Sequence, residues 1–389
     1  MVTVNTATYM TPSSLVSVNV NRTLGEFSGA FADLGTFLPL VLGLIALNQF
    51  SPQGIFFGFG IFALAVALFY RRPIPIQPMK VISALVIAQG LTPGIMQASG
   101  ILMGIILLLL AFSGAITWLS RQISQAISVG IQLAIGIQLL MMGGKMMAVT
   151  PAIGFGAFAL IFLCRFLPLR YVSMPLVLVA GMLWQYHHGG DVATFSFNQT
   201  PWQFHWPLAG EWSQALTLLV LPQLAMTLTN AVIATSVVAK EKFPEEAERF
   251  TPKAFATSSG LANLLLAPLG AIAMCHGAGG LAVQYHFGAR RMWAPFIFGV
   301  SCVAIALSWG ESVAWLLSLI PMAILGSLLS IAGLQLAWSK RLLDGRPFCM
   351  AVIASTAIVS LAVNPAAGLL AGLVVEFCRS RWELIQTIR

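Results

Sequence analysis

The run Pro73-Ile74-Pro75-Ile76-Gln77-Pro78-Met79-Lys80 sets a lysine directly behind a cluster of prolines, in a chain that is 58% hydrophobic and only 8% charged. Each proline removes a backbone donor and fixes φ, so this run cannot be helix interior. It reads as an extended stretch, Ile74–Gln77, with Pro78 in the first turn of a helix from Met79 to about Gln89. A helix that starts at membrane depth exposes free N–H groups and a partial positive charge, and Lys80 adds a full one. A second interrupted run, Ala273–Arg291, carries glycines at 277, 279, 280 and 288 together with His276, Gln284, Tyr285 and His286. Here Cys275–Gly280 reads as irregular and Leu281–Gly288 as a short helix. Two helix N-termini that face one another bind an anion without any arginine. The chemistry predicted is therefore recognition of an oxyanion, with Gln77, Gln284, Tyr285, His276 and His286 as hydrogen-bonding groups.

Two readings of Lys80 stand side by side: a substrate contact, or an ion pair with Asp33. Asp33 places a carboxylate inside the apolar run Phe31–Thr36, and such a group is a functional candidate by default. His276 reads as a satisfied buried side chain rather than a ligand. Gln223, Thr227 and Asn230, spaced by four and three, fall on one stripe of an α-helix. Carrying a dianion into a negative interior costs about 4.6 kcal/mol at 100 mV. Uptake therefore needs co-transported cations or a steep downhill sink, and Asp33 and His286 are the residues read as proton carriers in the first case.

Those residues must be held by membrane-spanning elements. A span needs about 20 apolar residues, so 389 residues hold roughly 11 to 14. The expected spans are 28–47, 54–70, 74–90, 96–119, 123–142, 148–167, 171–186, 213–239, 254–272, 274–289, 292–309, 312–337, 348–363 and 365–380. With the N-terminus inside, all basic residues except Lys80 and Lys145 fall in cytoplasmic segments, which orients the chain. Residues 1–27 and 381–389 read as cytoplasmic tails, 187–212 as an exterior loop between two sets of seven spans, and 240–253 as a polar cytoplasmic loop. The multi-pass protein is expected in the cell membrane with both termini inside. The five cysteines (164, 275, 302, 349 and 378) form no CxxC pair and read as small apolar groups. No metal site, cofactor or nucleic-acid partner is expected, and no HExxH motif or nucleophile arrangement suggests an enzyme. A channel would favour a continuous polar pore, whereas polarity here is concentrated in two midplane breaks.

At these residues the chain resembles the molybdate transporter family, a branch related to the SulP sulfate permeases. The resemblance rests on Asp33-Leu34-Gly35-Thr36, on Pro75-Ile76-Gln77-Pro78-Met79-Lys80, and on the stretch from Gly277 to Arg290; Pro222-Gln223 with Thr227 to Asn230 is also similar. It implies an all-α polytopic fold of fourteen spans in a seven-plus-seven inverted repeat, broken by strand–helix segments in spans 3 and 10. It implies a core domain (spans 1–4 and 8–11), a gate domain (spans 5–7 and 12–14), and elevator-like motion of one against the other. The substrate site it implies lies at Gln77, Pro78, Met79 and Lys80, at Gly279, Gly280, Leu281 and Gln284, and beside Gln223, Thr227 and Asn230. Molybdate is the expected substrate, with tungstate or sulfate as alternative tetrahedral dianions; a co-transported proton and a homodimer are further expectations. Position 286 holds His where the resemblance leads one to expect Arg, and no STAS domain of the kind usual in SulP permeases is expected, as is general in the molybdate branch.

Overall fold

The computed structural model describes residues 23–116, 124–164, 173–188, 206–308, 318–338, 342 and 347–388. Its first half contains α1 (Leu34–Asn48), α2 (Pro52–Tyr70), β1 (Gln77–Pro78), α3 (Lys80–Gln89), α4 (Pro93–Ser113), α5 (Gln125–Met147), α6 (Pro151–Cys164) and α7 (Ser173–His188). Its second half contains α8 (Ala209–Lys242), α9 (Pro252–Leu266), β2 (Met274–Cys275), α10 (Ala278–His286), α11 (Trp293–Leu307), α12 (Met322–Ala337), α13 (Pro347–Ala362) and α14 (Pro365–Ile388). Local chemistry sets many of the starts. Pro52, Pro93 and Pro252 open α2, α4 and α9 at the position where a missing N–H does no harm. Thr92 and Thr251 accept from the N–H groups of Ile95 and Ala254 and so cap α4 and α9.

Five helices among the described residues are long and apolar enough to cross a membrane by themselves: Thr23–Asn48, Pro52–Tyr70, Pro93–Ser113, Gln125–Met147 and Ala209–Lys242. Shorter apolar helices, α3 among them, fill the space between. The helix of α14 continues through residues 381–388, and residues 312–317 of the expected twelfth span lie outside the described residues.

The two halves repeat one packing scheme. Helix α2 lies on α11 and α4 on α9, and adding seven to each number exchanges these two contacts. The same operation maps α1·α3 onto α8·α10, α5·α13 onto α12·α6, and α5·α12 onto itself. The α5·α12 seam is close because it is made of glycine. A Cβ at Gly136 would stand 2.6 Å from the Gly333 carbonyl oxygen, and one at Gly326 would stand 2.7 Å from that of Gly143. Any side chain there would force the helices apart, which is how small residues bring backbones together in lipid.

Helix α8 departs from a uniform α-helix. It is π-helical over Ala215–Val220 and Thr227–Ala234. Pro222 has no N–H to return to the preceding turn, and the ladder there takes the wider spacing. The stripe drawn through residues 223, 227 and 230 therefore holds as far as Thr227, and Asn230 falls out of its phase.

The polar loop after α8 is tied down by Arg72. Its guanidinium bonds Glu246 (2.6 Å from Nη2, 3.2 Å from Nε), donates to the Arg290 carbonyl (3.0 Å) and lies over the Phe243 ring. The Arg72 hydrogen bond holds the Glu246 carboxyl below the usual carboxylate range, against a smaller opposing effect of burial. A pKa lower when folded means the contact supports the loop above the ordinary carboxylate value of about 4.3 and fades as pH falls through the lowered one. Hydrogen exchange, corrected for intrinsic rate, is expected to show residues 244–249 protected at pH 6 and less so below pH 4, with Arg72→Ala removing the difference. Equal protection in the variant would rule this contact out as the cause.

Candidate functional site

The two broken segments meet. β1 and β2 pair antiparallel, with Gln77 opposite Cys275 and Pro78 opposite Met274, and the Met79 N–H donates to the Ala273 carbonyl (2.8 Å). Pro78 therefore sits in a non-hydrogen-bonded pair, so its missing N–H breaks no rung of the ladder. Met274 turns its own N–H and C=O away from β1. The buried amide of Asn263 takes both, accepting at 2.8 Å and donating at 2.6 Å, and so acts as a third strand one residue long.

His276 pins the same crossing. Its ring is fully buried among Phe62, Tyr70 and Phe255. Nδ1 lies 3.0 Å from the Pro75 carbonyl and Nε2 lies 2.8 Å from Ser258 Oγ, which is itself 3.1 Å from the Tyr70 hydroxyl. A carbonyl only accepts, so Nδ1 donates to Pro75; in the neutral ring Nε2 then accepts from Ser258. This is the satisfied buried histidine that the sequence suggested.

From this crossing α3 and α10 run outward, each with its N-terminus at the pair. Neither end is bare. At α3, the Gln223 side-chain oxygen accepts from the N–H groups of Val81 (3.0 Å) and Ile82 (3.2 Å), while its amide nitrogen donates to Thr227 Oγ1 (2.9 Å). Gln223 and Thr227, read as substrate ligands, thus satisfy each other and cap α3. Gln223→Leu is expected to destabilise the protein by about 1 to 2 kcal/mol through the lost cap. A thermal midpoint equal to wild type would discount this role.

At α10, the Gln77 amide donates to the Asp33 carboxylate, and both lie against the first helical turn. A Cβ on Gly280 would stand 2.5 Å from Gln77 Nε2 and 2.7 Å from Asp33 Oδ2. What remains open is the N–H of Lys80 on one side and those of Ala278, Gly279 and Gly280 on the other, which have no acceptor among the described residues. Gly279 is exposed, with empty space where a side chain would stand.

Lys80 is half-buried and forms no ion pair among the described residues, with Asp33 or any other carboxylate. Of its two readings, the direct pair with Asp33 is not made. Its side chain instead lines a cavity of about 60 Å³ with Thr36 and Met226. A neighbouring cavity of about 270 Å³ is lined by Asp33, Thr36, Met174 and Val283. Gln284, 5% exposed, has a side-chain oxygen with no hydrogen-bond partner among the described residues and shares a small third cavity with Asp33. Met79, Pro78 and Leu281 are buried at the crossing and contribute shape. His286 lies exposed at the C-terminal end of α10. With eight residue steps of about 1.5 Å each, roughly 12 Å of helix separates it from the first turn. It is not brought into the cluster.

Two positioning residues escaped the sequence reading. Asn263 is a lone amide in an apolar run, and such a group must find a partner in lipid; that was the available signal. Glu26, 7% exposed, accepts from the N–H groups of Arg290 (2.8 Å), Arg291 (2.9 Å) and Ala294 (3.2 Å), and caps the start of α11. Nothing local in the sequence announces that contact.

A family model described as "Molybdate transporter of MFS superfamily" matches residues 25–139 and 215–336. The chain is 28% identical to molybdate transporter 2 of Arabidopsis thaliana, over 91% of this chain and 87% of that one. It is 27% identical to molybdate transporter 1 of the same plant, over 90% and 86%. A 159-residue stretch is 41% identical to molybdate transporter 1 of Chlamydomonas reinhardtii, covering 40% of this chain and 30% of that one. Among solved structures, the transmembrane domain of the cyanobacterial bicarbonate transporter BicA superposes with a TM-score of 0.68 at 14% identity, covering 90% of this chain and 97% of that one. Murine Slc26a9, an anion transporter in the inward-facing state, superposes with 0.71 at 13% identity, covering 94% and 68%. The fold is thus that of the SulP-type inverted repeat, whatever superfamily the model's description names.

Proposed function

Because this chain belongs to the molybdate transporter family, we propose that it is a secondary transporter that carries molybdate into the cell across the plasma membrane. The observation that supports the reading is the antiparallel β1–β2 crossing, from which α3 and α10 both start with open N–H groups, with Lys80 lining a cavity beside it. The oxyanion binds there, on Lys80, on the Lys80 N–H and on the first turn of α10 around Gly279. Helices α1–α4 and α8–α11 form a core that carries the site, and α5–α7 and α12–α14 form a gate against which the core slides. Asp33, held by Gln77 beside that first turn, is the coupling group, and its protonation offsets part of the dianion's charge. His286, at the far end of α10, has no part in this reading.

The test is binding of molybdate to the purified protein with sulfate as competitor. Tight binding that excess sulfate barely displaces supports a molybdate carrier. Equal competition converts the reading to a general sulfate permease. Binding of neither anion removes the oxyanion assignment altogether.

A further inference from the structure

The cavity that receives Lys80 has a second polar wall. Gln132 of α5 and Gln335 of α12 line the same space of about 60 Å³, opposite Lys80 and Thr36. Gln335 also lines the adjoining space of about 270 Å³ that Asp33 borders. Neither glutamine side chain has a hydrogen-bond partner among the described residues. Gln132 is half-buried and Gln335 exposed, so both amides are free to meet water or a ligand in this space.

Their placement follows from the glycine seam. Gly136 faces Gly333 and Gly143 faces Gly326, so α5 and α12 run antiparallel, and the two glutamines fall at the same end of the crossing. The two helices are also exchanged by the repeat, so each half of the chain supplies one amide to the same cavity.

We infer that Gln132 and Gln335 are specificity-determining residues that close over the oxyanion held by Lys80; the inference rests on the transport reading above. A fully deprotonated tetrahedral dianion accepts hydrogen bonds and donates none. The groups around this space match that need: the ammonium of Lys80, the hydroxyl of Thr36 and two amide NH₂ groups. Leu40, Leu139, Met226, Ala332 and Leu336 supply the apolar remainder of the wall. Molybdate is larger than sulfate. Seated on Lys80, the larger anion reaches the amides on the facing helices, and the smaller one falls short of them. Selectivity thus resides on α5 and α12, and attraction on α3 and α10.

The experiment measures dissociation constants for molybdate and sulfate with purified wild type, Gln132→Leu, Gln335→Leu and Gln335→Glu. Each leucine variant is expected to weaken molybdate about tenfold, the loss of one charge-assisted hydrogen bond, while sulfate changes less. Gln335→Glu, which replaces a donor by a negative charge, is expected to weaken molybdate further. The thermal midpoint of the anion-free protein is expected to stay at the wild-type value in all three, because the Gly136–Gly333 seam is untouched. Wild-type molybdate affinity in the variants, or an equal loss for both anions, overturns the inference and leaves the transport reading standing. Failure of the wild type to bind either anion removes the transport reading, and this inference with it.

Discussion

Lys80→Ala is expected to weaken molybdate binding about 10- to 100-fold, from the loss of a charge-assisted contact worth about 1.5 to 3 kcal/mol. Lys80 is half-buried, lines a cavity and makes no ion pair among the described residues, with Asp33 near enough to feel its charge but not to bond it. Its removal leaves the helix itself intact. The first turn of α3 is held by Gln223 through the N–H groups of Val81 and Ile82, which do not depend on the lysine side chain. The anion-free variant should therefore melt as wild type does. Lys80→Arg keeps the charge but replaces a compact ammonium by a broad planar fork, and should fall between the two. A Lys80→Ala protein that binds molybdate with wild-type affinity would dismiss the lysine from the site.

The second large effect separates two neighbouring glycines. A methyl group on Gly280 would meet Gln77 Nε2 at 2.5 Å, Asp33 Oδ2 at 2.7 Å and the Pro75 side chain at 3.0 Å. It must displace the Gln77–Asp33 hydrogen bond or lift α10 from β1, and overpacking of this kind costs about 1 to 3 kcal/mol. Gly280→Ala should accordingly lose both stability and transport. A methyl group on Gly279 meets nothing within 4 Å, and φ there is not left-handed. Gly279→Ala should fold as well as wild type, or better by about 0.5 to 1 kcal/mol, since alanine is the stronger helix former. Its methyl nonetheless occupies the space in front of the open N–H groups, so molybdate affinity should drop while stability holds. Thermal melting and anion binding on the two variants read this contrast directly. Equal behaviour of the two would mean that the first turn of α10 neither touches the strand crossing nor faces the anion.

Much of this arrangement is written along the chain, because its causes are local. Prolines at 73, 75 and 78 forbid a helix and permit an edge strand, and Lys80 follows where a helix must restart. Gly277 caps the second restart, and Gly279 and Gly280 lie in the first turn of α10, where the lack of side chains lets the strand crossing approach closely. A chain this poor in charge must lie in lipid, where irregular backbone survives only inside protein or against a cavity. Membrane class, the two breaks and the oxyanion chemistry follow from those facts alone. The sequence could not say which donors the protein would consume itself. Gln223 lies 142 positions from Val81, and only folding turned it from a presumed ligand into a cap. His276 and Pro75, 201 positions apart, became one hydrogen bond in the same way. Helical phase was equally hidden, since a π-helical turn in α8 removes Asn230 from a stripe that α-helical spacing would have kept. His286 shows the limit most plainly: its neighbours in sequence are site residues, yet nine residues of rigid helix carry it to the opposite end. Residue type and spacing decide what chemistry a segment is able to offer. Contacts between distant segments decide which of those groups are left unsatisfied, and only unsatisfied groups are free to bind.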